Sequence, residues 1–395
     1  MKIVDVAEFY AERGGGVRTY IDQKLAAAAR AEHEVVVIAP GPEEKEEQRE
    51  GGRIVWIKSW PLPVDPRYYM LLDERAVHAA LNRELPDVVE GSSPWTGGWM
   101  VARWPGRATK SLIFHQDPVA VYPQTLLGRR FGYARVDALF KPFWTYLARL
   151  SAHYDLTVTS GQWLADRLAS FGVQAPVAVP FGIDKSAFSP SLADPEVKAS
   201  WLVRCGAPPE AQLLVAVSRH HPEKRLLTLL SAFERARQEQ PLALVLFGDG
   251  PLRKLVERRA RTIPGVHVAG FSRDRPHLAA TLASADALLH GSAAETFGLV
   301  VAEAVCSGTP VIVPNRGGAC ELARPSFAEL YEPGDAVGCA EAIARLTARD
   351  RSVLRAACLE QGCQHIFDVP SHFEALFRTY ASRSLTSPES ARALS

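Results

Sequence analysis

At 395 residues the chain is longer than one hydrophobic core usually organises, and its length fits two to three domains. Hydrophobic residues at 47% and charged residues at 23% are ordinary globular composition. A formal net charge of +1 lacks the bulk field of a nucleic-acid binder, so no nucleic-acid partner is expected.

Met1–Val6 lacks a long apolar h-region and reads as a first strand, not a signal peptide. No run of 18 apolar residues occurs, so no spanning helix is expected. In the first half, strands are expected at Ile3–Val6, Val35–Ala39, Ile54–Lys58, Val88–Glu90, Ser111–His115, Leu156–Thr159 and Val177–Val179, with a first helix over Tyr20–Arg30. Val35–Ala39 is continuously apolar, as a strand covered on both faces must be. Turn chemistry follows at Ser189-Pro190-Ser191, Asp194-Pro195 and Pro208-Pro209. The alternation then restarts with strands at Leu213–Val217, Ala243–Phe247, Val266–Ala269, Ala287–Leu289 and Val311–Val313. Helices are expected between them near Leu226–Arg237, Leu252–Thr262, Pro276–Ser284 and Leu299–Ser307.

This pattern predicts an α/β protein of two Rossmann-like, doubly wound domains, with the ligand at the carboxyl ends of the strands. The boundaries are 1–188 for the first domain and 189–370 for the second. A C-terminal segment, 371–395, carries a helix near Ser371–Ser382 and ends in a polar tail. All six cysteines (Cys205, Cys306, Cys320, Cys339, Cys358, Cys363) lie in the second half, with no CxxC pair. No zinc-like His/Cys spacing occurs, so no metal is expected, and reduced thiols fit a cytoplasmic protein.

The densest chemical signal is Glu295-Thr296-Phe297-Gly298-Leu299-Val300-Val301-Ala302-Glu303. Glu295 stands in a loop after a strand, and Glu303 lies one to two turns into the following helix with its side chain tilted back. The N–H groups of Phe297, Gly298 and Leu299 form an anion seat between them. Two carboxylates beside such a seat suit hydroxyl binding, as the sugar and ribose of a nucleotide-sugar require. Upstream, Val217-Ser218-Arg219-His220-His221-Pro222-Glu223-Lys224-Arg225 supplies cations after the first strand of the second half. Arg219 can fork two phosphate oxygens and Lys224 acts as a point charge, whereas Arg225 reads as a solvated loop charge. Phe247-Gly248-Asp249-Gly250-Pro251-Leu252 is a strand-to-helix turn in which glycines serve backbone geometry.

The Glu295–Glu303 segment resembles the E-x7-E motif of glycosyltransferase family 4, and Arg219 with Lys224 resembles that family's donor-diphosphate pair. Gly248 resembles the Gly-x-Gly-Pro turn beside the nucleotide. Gly14-Gly15-Gly16-Val17 resembles the glycine-rich donor loop, and His115 a histidine near the donor sugar. A dinucleotide fingerprint fits Gly14–Gly16 poorly, because Thr19 fills the third glycine position and seven residues separate strand from glycines. Pro180-Phe181-Gly182-Ile183-Asp184 resembles the interdomain segment. Two departures stand out: Glu32 where the family commonly has Gly, and His290 where Pro is frequent.

The resemblance implies the GT-B fold and a retaining, metal-independent hexosyl transfer from a nucleotide diphosphate-sugar, with no other cofactor. Arg219, Lys224, Glu295 and His115 are the implied catalytic residues. Gly15, Gly16, Gly248, Phe297, Gly298, Leu299 and Glu303 are the implied donor-binding residues. The acceptor would be a sugar or a lipid-linked glycan, in glycolipid or cell-surface polysaccharide assembly. Two other readings are a sugar-nucleotide epimerase-like enzyme and a catalytically silent nucleotide-sugar binding module.

Gln124–Leu150 carries Arg129, Arg130, Arg135, Lys141 and Arg149 against Asp137 alone, interleaved with Phe131, Tyr133, Phe140, Phe143, Trp144 and Tyr146. Such a stretch either rests on an anionic membrane, at the inner face, or buries its aromatics in a cleft wall with the arginines solvated.

Overall fold

The computed structural model describes residues 1–11, 15–63 and 65–385. The strands are β1 (Lys2–Val6), β2 (Glu34–Gly41), β3 (Lys45–Arg49), β4 (Gly52–Lys58), β5 (Trp60–Leu62), β6 (Asp65–Met70), β7 (Val88–Gly91), β8 (Thr109–Phe114), β9 (Leu156–Thr159) and β10 (Pro176–Ala178), followed by β11 (Gln212–Val217), β12 (Leu242–Phe247), β13 (Val266–Gly270), β14 (Ala287–Leu289), β15 (Val311–Pro314) and β16 (Ala328–Tyr331). They form one sheet ordered β10-β9-β8-β7-β1-β2-β4-β3, a second ordered β13-β12-β11-β14-β15-β16, and a β5–β6 hairpin. All pairings in the two large sheets are parallel except β3 with β4.

The chain divides into two compact units. The first comprises Met1–His115, Phe140–Pro180 and the segment from Val369; the second comprises Gln116–Leu139 and Phe181–Asp368. In the first unit, β1 pairs with β2 on one side and β7 on the other, so its topological switch point lies between β1 and β7. The helix Val369–Leu385 belongs to this unit, where Phe373, Leu376, Phe377 and Tyr380 join Ile3, Val35, Val37 and Val158 in one buried cluster.

In the second unit the six strands run 3-2-1-4-5-6 by sequence order, the dinucleotide-fold arrangement, with the switch point between β11 and β14. β12 (LALVLF) is buried at every position, as a strand covered by helices on both faces must be. The expected connector chemistry at Asp194-Pro195 is instead the start of a helix, Pro195–Cys205. Asp194 caps it by accepting from the Glu196 N–H, Pro195 takes a first-turn position, and Gly206 closes it in the left-handed region.

Residues 116–139, inside the span expected for the first domain, cluster with the second unit. The reason is polar anchoring: Arg316 lies over the Tyr133 ring at 4.2 Å and reaches Gln124 Oε1 at 3.3 Å, and Arg129 donates to the Gly334 carbonyl.

Candidate active site

The carboxyl ends of β11 and β14 gather most of the charged residues expected for the second unit. After β11 the chain turns through the short helical segment Pro222–Lys224, which buries Glu223. That carboxylate accepts from His221 Nδ1, while Arg219 Nη2 lies at 3.6 Å and Lys224 Nζ at 4.0 Å from its Oε1. Glu223 therefore anchors the cationic loop from beneath, and no sequence motif singled it out. Arg219 stays open to solvent, with its side chain 76% exposed. Arg225 is half-buried with a left-handed backbone (φ 47°) at the start of the helix Leu226–Ala236, which corrects its reading as a solvated charge.

Lys224 Nζ donates to Glu295 Oε1 at 2.5 Å. Burial alone would raise the Glu295 carboxyl, but the Lys224 ammonium and further neighbours outweigh it and hold the group below its ordinary range. His290, at the end of β14, is buried, with Nε2 3.7 Å from the same Glu295 oxygen. Burial, opposed by Glu295 and assisted by Lys224, pushes its imidazole down to about 4.

The loop from Ala293 to Gly298 is braced by a second glycine turn that the sequence reading passed over. The Gly318 N–H donates to the Glu295 carbonyl at 2.7 Å, and a Cβ at Gly318 would lie 2.2 Å from the Thr296 carbonyl oxygen. Only a residue without a side chain permits that approach. Phe297 is buried edge-on against Phe181, with centroids 5.9 Å apart. Gly298 (φ 97°) turns the chain into the helix Leu299–Cys306. Leu299 is half-exposed at its first position, where a helix presents N–H groups lacking intrahelical acceptors. Glu303 sits in the second turn, its side chain 18% exposed, with Arg275 Nη2 at 3.3 Å from Oε1. Burial raises its carboxyl to about 7 against the pull of Arg275, so it is partly protonated at neutral pH.

Gly248 serves the packing of two loops. A Cβ there would lie 1.8 Å from the Ser218 carbonyl oxygen, and the Gly248 N–H donates to Gly270 at 2.8 Å. The His220 N–H donates to the Asp249 carbonyl at 2.8 Å, while both His220 ring nitrogens and Ser218 Oγ are buried without a partner. Orphaned polar atoms at a strand end suit a site that completes its hydrogen bonds with a ligand.

In the first unit, Gly15 and Gly16 open the helix Gly16–Arg30, and a Cβ on either would meet nothing within 4 Å. Gly14 lies outside the described residues. His115 follows β8, its ring 5.5 Å from that of Tyr20, and burial and then His372 and Lys24 lower its imidazole to about 3. It is a neutral ring at every working pH. Tyr20 Oη bonds His372 Nε2 at 3.1 Å, and His372 Nδ1 donates to the Pro180 carbonyl at 2.8 Å. Close by in the core, Lys24 Nζ pairs with Asp5 at 3.0 Å and with Glu90, and Tyr380 donates to Glu90 at 2.7 Å. At the β1–β7 switch point, Glu8 accepts from Ser93 Oγ, Thr96 Oγ1 and the Gly97 N–H, fixing the start of the helix Thr96–Arg103.

The basic–aromatic stretch 124–150 is not one helical face. It forms the helices Pro123–Phe131, Tyr133–Leu139 and Lys141–Ser151, the first two in one unit and the third in the other. Trp144 is fully buried and stacked on Phe171 at 4.1 Å, whereas Leu126, Phe131 and Leu139 are exposed. Among the described residues no helix is long and apolar enough to cross a membrane, and no three His, Cys, Asp or Glu side chains converge on a metal position.

Two family models cover most of the chain: Glycosyltransferase Family 4 over residues 14–187 and Glycosyl transferases group 1 over residues 211–349. A GDP-mannose-dependent alpha-(1-6)-phosphatidylinositol dimannoside mannosyltransferase of Mycobacterium tuberculosis is 32% identical over 329 residues, 82% of this chain and 81% of that protein. A GDP-mannose-dependent alpha-mannosyltransferase of the same species is 28% identical over 344 residues, 84% of each. Among solved structures, sucrose-phosphate synthase from Thermosynechococcus elongatus superposes with a TM-score of 0.75 at 19% identity, covering 98% of this chain and all of that one, and this likeness carries the fold alone.

Proposed function

Because this chain belongs to glycosyltransferase family 4, with the GT-B fold, and moves a glycosyl unit from a nucleotide-sugar to an acceptor, we propose that its donor is GDP-mannose and its acceptor a glycolipid. The names of its mycobacterial relatives support both choices. We further propose retention at the anomeric carbon without a required metal. The observation that carries this reading is the Lys224–Glu295 pair, which sets an ammonium and an ionised carboxylate at the switch point beside a helix N-terminus.

The acceptor hydroxyl approaches the anomeric carbon on the leaving-group side. The bond from that carbon to the β-phosphate oxygen breaks as the new C–O bond forms, and the departing phosphate takes the hydroxyl proton. Arg219 and Lys224 stabilise the negative charge that builds on the phosphate, in place of a cation. The Leu299 helix terminus adds backbone N–H groups. Glu295 orients sugar hydroxyls and Glu303 holds the ribose; neither forms a covalent bond. Gly15 and Gly16 give the donor an approach free of side chains, and His115, neutral, serves as a hydrogen-bonding group near the sugar.

Contact with an anionic membrane fits the exposed Leu126, Phe131 and Leu139 beside Arg130 and Arg135. Cofloating with anionic liposomes is expected, and its absence would count against that surface. The reaction itself is tested by incubating GDP-mannose with phosphatidylinositol mannoside in EDTA and reading the product anomer by NMR. An α-linked product at undiminished rate supports the reading. A β-linked product, or a rate abolished by EDTA and restored by Mg²⁺, overturns the corresponding part.

A further inference from the structure

His290 is a residue at this site with no role in the scheme above. It departs from the proline frequent at its position in the family, and its ring is buried at the end of β14. The imidazole hydrogen-bonds the Ser292 backbone, an interaction that favours the charged ring, while Nε2 has no partner. Nδ1 is therefore the nitrogen engaged, and as a donor to the backbone it leaves Nε2 as a bare lone pair in the neutral ring. That lone pair faces Glu295 Oε1, itself an acceptor, across 3.7 Å. Two acceptors at that distance become hydrogen-bond partners once a proton is added and the gap closes by a few tenths of an ångström.

Lys224 is committed to the same carboxylate oxygen. As its ammonium turns toward a leaving diphosphate its hold on Glu295 weakens, leaving a poorly hydrated carboxylate with less counter-charge, a costly state. Among the described residues, the cations within salt-bridge reach of Glu295 are Lys224 and, if protonated, His290. Beyond these, Glu223 lies 4.0 Å from Lys224 Nζ and the Arg219 charge also acts on Glu295, both from the turn after β11. From β16, Tyr331 donates its hydroxyl to the His290 carbonyl at 2.6 Å, with Arg225 acting on that tyrosine.

Resting on the donor-site reading above, we propose that His290 is a positioning residue that takes up a proton when the nucleotide-sugar binds, so that Glu295 passes from Lys224 to His290 and Lys224 is released to the diphosphate. An N–H bond forms at Nε2 with a proton given up by a solvent or buffer acid, no other covalent bond changes, and a charge-assisted hydrogen bond to Glu295 forms. Without ligand the ring holds no proton at neutral pH, being lowered to about 4 by burial, with Lys224 adding to that effect against Glu295. Binding removes the nearby ammonium and adds phosphate charge, and both raise the affinity of Nε2 for a proton. Uptake then occurs between the free and bound values.

The test is calorimetric titration of the full chain with GDP-mannose at about pH 6, in two buffers of different ionisation enthalpy, for native protein and for His290→Gln. Intact nucleotide-sugar is needed because the terminal phosphate of free GDP titrates in this range. Native protein is expected to take up roughly one proton per donor more than the variant, contributions from Glu303 and His221 being common to both. Native affinity should weaken by up to about tenfold per pH unit as pH rises from the free to the bound value and level off above it, with the variant lacking that component. Equal uptake in the two proteins, with donor bound by both, overturns the role of His290 and leaves the donor site standing. No binding of GDP-mannose, UDP-sugars or ADP-sugars by native protein overturns the donor reading and this proposal with it. Should His290→Gln not fold, the ring ¹⁵N shifts of His290 in native protein decide: a shift to the doubly protonated pattern on adding donor is expected, and an unchanged neutral pattern contradicts the proposal.

Discussion

Lys224 and Glu295, 71 positions apart in sequence, meet at 2.5 Å where β11 and β14 diverge. The pair joins the two loops that flank the switch point and keeps a positive and a negative group ready at one place. Each side chain holds the other's charge and rotamer until the donor arrives.

Lys224→Ala removes one of the two cations assigned to the leaving group and leaves Glu295 half-buried without its partner. Transfer from GDP-mannose should fall by about 10² to 10³ in kcat, the loss typical of one transition-state donor. Steady-state rates check this. Lys224→Arg should recover part of the loss, because it keeps the charge and changes the geometry.

Glu303 gives stability a definite pH dependence. Its carboxyl is raised from 4.5 to about 7 in the folded chain, so the folded state binds the proton more tightly than the unfolded. The resulting stability is fully present below 4.5 and is lost as pH rises towards and beyond 7. Glu303→Gln, which cannot ionise, should match native stability near pH 4.5 and exceed it at pH 8 by up to about 3 kcal/mol. Urea unfolding at the two pH values tests the sign; a variant less stable than native at pH 8 would contradict it.

Gly318→Ala should damage the donor loop without touching a charged group. The added methyl would lie 2.2 Å from the Thr296 carbonyl oxygen, so the backbone around Phe297 must shift. A loss of about 1–3 kcal/mol is expected, with a clear rise in the Kd for donor. Thermal unfolding and donor titration of the same sample separate the two effects.

Tyr380→Phe keeps the packing of the C-terminal helix but removes the hydroxyl that donates to buried Glu90. Leaving that carboxylate oxygen short of a donor should cost about 1–3 kcal/mol. Chemical denaturation checks this.

Sequence patterning exposed most strands of the two sheets, because strands buried on both faces read as unbroken apolar runs: Val35–Ala39, Leu213–Val217 and Ala243–Phe247 are all of this kind. It missed β3, whose Lys-Glu-Glu-Gln-Arg is polar throughout and survives as the antiparallel edge of the sheet. Asp194-Pro195 was ambiguous in principle, since an N-cap followed by proline reads equally as a turn. Glu295, Glu303, Arg219 and Lys224 could be picked out as candidates because they fall next to strand ends in segments that resemble the family's motifs. Glu223, His290 and Arg275 were not, since their roles depend on which side chains face each other: Arg275 reaches Glu303 from 28 positions away, Glu223 lies within its own turn and His290 meets Glu295 across a loop. The membership of 116–139 in the second unit rests on Arg129 and Arg316 reaching backbone and side-chain partners about two hundred positions away, which no local pattern encodes.

The most direct test of the donor site is the affinity of the native chain for GDP-mannose in EDTA, set beside Glu303→Ala and compared with UDP- and ADP-sugars. The account predicts selective, EDTA-insensitive binding of GDP-mannose that weakens at least tenfold in Glu303→Ala, the equivalent of about 1.4 kcal/mol. Binding that is unchanged in Glu303→Ala, or that appears only with a divalent cation, would contradict it.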